Sequence, residues 1–107
     1  MRSTSTVLYY GVRFSSDALL STKRANLIDY VEKRKIEGIE CKLDSYDGCY
    51  LLSTDSSRKI KSGLSAEDFL EEVNEFRGSL VSVHNEFNKL FAMFNVPLKL
   101  NVYSFEA

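Results

Sequence analysis

Tryptophan is absent from this 107-residue chain, proline and histidine each occur once, and cysteine occurs twice. A single proline and five glycines exclude a long linker or a low-complexity tract, so residues 1–107 read as one domain. Two cysteines and one histidine cannot complete a structural zinc site from Cys and His alone. No apolar run reaches the length of a membrane span, and Met1 to Thr6 lacks the apolar core of a signal peptide. The expectation is a reduced, cytoplasmic setting with no membrane partner. A strong basic excess is also missing. The formal charge is −1, which argues against a dedicated nucleic-acid binder, because phosphate neutralisation supplies most of the affinity in such domains.

What the chain does have is enough apolar mass for one core. Hydrophobic residues make up 44% and charged residues 27%, which excludes a disordered chain. Seven Phe and six Tyr supply the large rings. Charge is uneven along the chain. Up to Gly63 eleven Lys/Arg stand against eight Asp/Glu, and from Leu64 onward three stand against seven. Such asymmetry either marks differently solvated helix faces or steers association, head-to-tail or with a partner.

Periodicity gives the elements. Leu8, Tyr10, Val12 and Phe14 alternate with Val7, Tyr9, Gly11 and Arg13, the two-residue period of a strand over Thr6 to Ser15. A helix is expected most securely over Thr22 to Lys35, with Leu20, Leu27, Ile28 and Val31 as its buried stripe and Gly38 as its terminator. Ile39 to Leu43 and Cys49 to Thr54 form a hairpin around Asp47-Gly48. Asp55 to Gly63 reads as a basic loop with Arg58, Lys59 and Lys61. Ser65-x-x-Asp68 resembles a capping box and opens a second helix that runs to about Asn95, ahead of Val96-Pro97. Leu98, Leu100 and Val102 mark a last strand. The order β-α-β-β-α-β predicts an α+β fold of ferredoxin-like type. Four antiparallel strands would carry both helices on one face, with the first and third strands central.

The second helix carries an unusual stripe: Phe69, Val73, Phe76, Leu80, Val83, Phe87, Leu90 and Phe94 step alternately by four and three. Leu70, His84 and Phe91 flank it. Thirty-one residues of helix span about 46 Å, against about 20 Å for a six-residue strand. One small sheet cannot cover such a stripe. The helix therefore breaks near Gly78-Ser79, pairs with a second copy, or docks on another protein; otherwise the whole stripe is core. The interface residues expected on it are Phe76, Leu80, Val83, Phe87, Leu90, Phe91 and Phe94.

With both helices on one face, the other face of the sheet carries Tyr9, Arg13, Tyr50, Tyr103 and Phe105, together with Val7, Leu52, Glu40 and Lys42. Aromatic sheet faces stack bases in RNA-recognition domains. Here the third strand reads Asp47-Gly48-Cys49-Tyr50-Leu51, without the basic residue or the paired aromatics of that motif. The remaining readings are a protein-docking face and a half-exposed sheet held by cross-strand tyrosines.

No catalytic, cofactor or metal site is expected. His84 lacks a triad partner, Cys41 and Cys49 are not directly opposed on their hairpin, and Asp44, Asp47 and Asp55 fit no calcium loop. The expected function is a non-enzymatic protein-binding module, an adaptor or stoichiometric inhibitor of the kind phages and mobile elements carry. Its partner would be another protein or itself, with a homodimer in view. The alternatives are a nucleic-acid-binding domain using the sheet aromatics and the basic loop, and a small enzyme or ligand-binding domain.

Overall fold

The computed structural model describes residues 4–17, 20–34, 36–44 and 48–106. The elements are β1 (Ser5–Phe14), α1 (Thr22–Arg34), β2 (Ile39–Leu43), β3 (Cys49–Ser53), β4 (Arg58–Lys61), α2 (Ala66–Gly78), α3 (Leu80–Met93) and β5 (Asn101–Glu106). The fold is α+β, with one antiparallel sheet of five strands. Asp47, half of the expected turn signal, lies outside the described residues; Asp44 N–H donating to the Gly48 carbonyl at 3.0 Å closes the hairpin.

β1 organises the sheet. One of its edges pairs with β5 from Thr6↔Glu106 to Gly11↔Asn101. The other edge is shared: β3 takes Gly11 to Phe14, and β4 takes Ser5 to Leu8. Gly11 faces Leu52 while Leu8 faces Arg58, so three extra residues separate the two registers. The strand bulges out over 54–57 and returns to the same neighbour. β2 pairs only with β3, which leaves β1 and β3 inside the sheet, as the crossover rule requires.

The expectation of four strands with a basic loop over Asp55 to Gly63 thus misses β4. Its sequence, Arg-Lys-Ile-Lys, offers one apolar residue to reveal a period. Nevertheless Arg58 and Ile60 face the helices while Lys59 and Lys61 face away, because each shares the face of its partner on β1.

The helices cover one face, without Leu20, which was expected in the buried stripe of the first helix but precedes α1 and is 85% exposed. Tyr10, Val12, Phe14, Cys49 and Leu51 of the sheet pack against Leu27, Ile28 and Val31 of α1 and against Phe76, Val83, Phe87, Leu90 and Phe91 of α2 and α3. The second helix does not break and fold back near Gly78-Ser79, one of the outcomes open from sequence: α2 and α3 join through Ser79, whose backbone stays helical (φ −79°, ψ −12°) and whose carbonyl accepts Val83 N–H at 3.1 Å. The Phe76 carbonyl accepts the Tyr10 hydroxyl at 3.0 Å and the Ser79 hydroxyl at 2.6 Å. Ser79 N–H is itself shared between the Glu75 and Phe76 carbonyls, each at 3.2 Å. Side-chain hydroxyls bonded to a helix carbonyl compete with the backbone ladder, and here the ladder carries on past them. The 4.0 Å stack of Tyr10 on Phe76 holds this junction against the sheet.

Both ends of the α2–α3 unit are capped by their sequence. Ser65 Oγ accepts from Asp68 N–H at 3.1 Å, with Glu67 and Asp68 in the first turn where negative charge suits the helix dipole. At the other end Val96 N–H reaches the Phe91 carbonyl and Asn95 N–H the Ala92 carbonyl, around a left-handed Asn95 (φ 54°). This pair of bonds is a Schellman motif, and Pro97 follows it.

Candidate binding surface

The face of the sheet away from the helices is built by alternation. Tyr9, Gly11 and Arg13 of β1 point to it, and register carries the same face to Tyr50 and Leu52, to Lys42 and Glu40, and to Tyr103 and Phe105. Four half-buried rings form one cluster. Tyr50 meets Tyr103 at 5.0 Å and Phe105 at 5.4 Å, and Tyr9 meets Phe105 at 5.8 Å, all edge to face. Gly11 sits between β3 and β5, and the space a Cβ would take there is closed by the Leu51 carbonyl and the Leu52 side chain. Leu52 leans into the same space and is 1% exposed although it lies on the uncovered face.

Cations ring the cluster. Lys42 Nζ lies 3.8 Å from the centre of the Phe105 ring, and the Arg13 guanidinium lies 5.9 Å from that of Tyr50. Arg13 also forms a 2.7 Å ion pair with Asp44, whose hydrogen bond holds the guanidinium above its ordinary range. Lys59 and Lys61 join the same face opposite Val7 and Ser5. They were missed as site residues because a charged run between glycine-flanked turns carries no face until it is placed in a sheet. The Lys59-Ile60-Lys61 alternation was the available signal.

The expected interface residues therefore divide. Tyr9, Arg13, Tyr50, Tyr103 and Phe105 converge on one surface. Phe76, Val83, Phe87, Leu90 and Phe91, expected on a helical interface, are at most 6% exposed and lie inside the chain's own core, because the helix lays that part of the stripe on the sheet and α1. Phe94 is half-buried against Tyr30, with ring centres 5.4 Å apart. Leu80 remains 37% exposed. The end of the stripe that escapes cover is the other one: Phe69 and Leu70, at the start of α2, are 45% and 57% exposed.

Elsewhere the chemistry is sparse. Among the described residues no three Cys, His, Asp or Glu side chains are grouped to hold a metal, Asp47 lying outside them, and no helix is long and apolar enough to cross a membrane. His84 lies on the wall of a shallow groove of about 390 Å³ with Leu80, Val81, Asn85 and Leu100. Cys41 and Cys49 sit diagonally on β2 and β3, facing the helices, and both are free thiols. Cys41 Sγ donates to Glu32 Oε1 at 3.5 Å. Burial, with smaller contributions from Cys49 and Glu32, pushes the Cys41 thiol from an ordinary 9.0 up to about 12, and burial raises Cys49 as well.

At pH 8 Cys41 then holds roughly a thousandfold less thiolate than an ordinary thiol. Alkylation by iodoacetamide, followed by mass spectrometry, is expected to leave both cysteines unmodified over times that consume free cysteine. The raised value favours the folded state below pH 9, and that contribution is lost as the pH climbs toward 12. Rapid labelling of Cys41 at pH 8 would contradict this environment. Comparison with known proteins finds no family model, no curated protein and no solved structure that matches this chain.

Proposed function

We propose that the protein is a non-enzymatic protein-binding module that docks an acidic, apolar segment of its partner on the open face of its sheet. The observation that carries this reading is the ring cluster of Tyr9, Tyr50, Tyr103 and Phe105 bordered by Lys42, Lys59 and Lys61, with Arg13 held by Asp44. Aromatic centres with a charged rim are the pattern of protein interfaces. Stacking of nucleobases needs free ring faces. Here the rings pack edge to face and Lys42 lies over Phe105, which favours a protein occupant over single-stranded nucleic acid.

The role of an adaptor or a stoichiometric inhibitor follows from such a surface, and a phage or mobile-element origin suits the small size. Two free thiols suit the cytoplasm. We read the architecture as ferredoxin-like, with β3 and β4 standing for one strand interrupted at 54–57.

Fluorescence anisotropy with two probes tests the proposal. One is a helical peptide of about fifteen residues bearing Glu and Phe, unrelated in sequence to this chain; the other is a mixed-sequence single-stranded RNA of similar charge. The peptide is expected to bind, and Lys59→Glu with Lys61→Glu is expected to weaken it by about tenfold. Tighter binding of the RNA, with a steep loss of affinity in salt, would replace the protein occupant by nucleic acid. Binding of neither probe would remove the proposed role from this face.

A further inference from the structure

Two surfaces of this chain remain without an explanation in the fold, and each is the complement of the other. The first is the start of α2. Phe69 and Leu70 are exposed there, and Glu67, Asp68, Glu71, Glu72 and Glu75 surround them with a single cation, Arg77, on the same helix. The sheet reaches α2 mainly at its far end, where Phe76 stacks on Tyr10 and Arg58 lies 3.4 Å from Glu75. The opening turns of the helix are thus acidic and apolar at once. The second surface is the open sheet face, where four rings stand among Arg13, Lys42, Lys59 and Lys61 against Glu40 and Asp44.

These surfaces lie on opposite sides of the sheet, since Arg58 and Tyr10 meet α2 on one side while Lys59 and Tyr9 face the other. No chain can join its own pair. We propose that the open face of one copy takes the opening turns of α2 from a second copy, so that the protein assembles head to tail. This rests on the reading of the open face as a site for acidic apolar segments, and it names the first such segment available.

The occupant follows from charge and shape. An acidic helix meets a basic sheet, and exposed Phe69 and Leu70 meet a bed of rings. A contact that joins different surfaces of two identical chains is heterologous. It does not close at two copies, and it grows until a ring or a filament forms. Its charged part is screened by salt, so growth is expected to recede at high ionic strength.

Analytical ultracentrifugation of the full chain across a concentration range tests this, with two variants that each spoil one surface. Lys59→Glu with Lys61→Glu blocks the sheet, and Leu70→Gln with Glu71→Lys blocks the helix; all four residues are surface-exposed, and far-UV circular dichroism checks that each variant folds. The native chain is expected to rise in mass with concentration beyond two copies. Each variant alone is expected to remain at the 12.2 kDa monomer or to associate at least tenfold more weakly. A one-to-one mixture, in which each variant keeps the surface the other lacks, is expected to form a dimer that grows no further. A native chain that stays monomeric at all concentrations, or a plateau at two copies, overturns the proposal. So do variants that stay monomeric even when mixed. If the unrelated acidic peptide still binds in any of these cases, the open face keeps its role and only the second copy is lost as occupant.

Discussion

Replacing Gly11 with valine is expected to leave the chain largely unfolded, and alanine at the same position to cost about 3 kcal/mol or more. A Cβ at position 11 would lie 2.3 Å from the Leu51 carbonyl oxygen and 2.8 Å from Leu52 Cδ2. The leucine methyl can move; the carbonyl cannot. It belongs to β3, which is paired on both sides, with β1 and with β2. Gly11 is equally fixed, between Leu52 and Asn101. Relief therefore requires breaking a ladder at the centre of the sheet, and a domain of this size has a total stability of only about 5–15 kcal/mol. Urea unfolding of the alanine variant measures the cost. A loss below about 1 kcal/mol would mean that the Leu51 carbonyl is not held against Gly11 and the β1–β3 ladder gives way to a methyl group.

Phe87→Ala is the second large effect, with an expected loss of about 3–5 kcal/mol in urea unfolding. Phe87 is 1% exposed and packs in the main core beside Phe91, whose ring also faces Phe14. Removing its ring leaves a cavity beneath two helices that cannot both collapse into it. Phe69→Ala, on the same stripe, is expected to cost about 1 kcal/mol or less because 45% of that side chain already meets solvent. The contrast separates core from free surface along one periodic pattern. A Phe87→Ala chain of unchanged stability would return the residue to the list of interface candidates.

That stripe marks the limit of what periodicity reveals. The alternation of four and three identifies an apolar face from Phe69 to Phe94, and the geometry of a small sheet implies that part of it overhangs. Which part overhangs depends on the Tyr10 hydroxyl at the Phe76 carbonyl, a contact 66 residues apart in sequence. Nothing local to either residue announces it. The sheet face was more legible. A strand's two-residue period is rigid, so Tyr9, Arg13, Tyr50, Tyr103 and Phe105 were assigned to one side and are found there together. Lys59 and Lys61 escaped because their strand is only four residues long and joins β1 after a three-residue excursion. The caps lay in plain view, since Ser65, Asp68 and Pro97 act through neighbours a few residues away.

The two halves of the long helix are anchored unequally. α3 is bound to the interior by Val83, Phe87, Leu90 and Phe91, whereas α2 is held chiefly by Phe76, its one buried residue, and by the tyrosine latch on its carbonyl. Local opening follows the weakest anchorage. Amide hydrogen exchange is therefore expected to be faster over 66–75 than over 83–91, because the outer turns lean on solvent where the inner ones lean on rings.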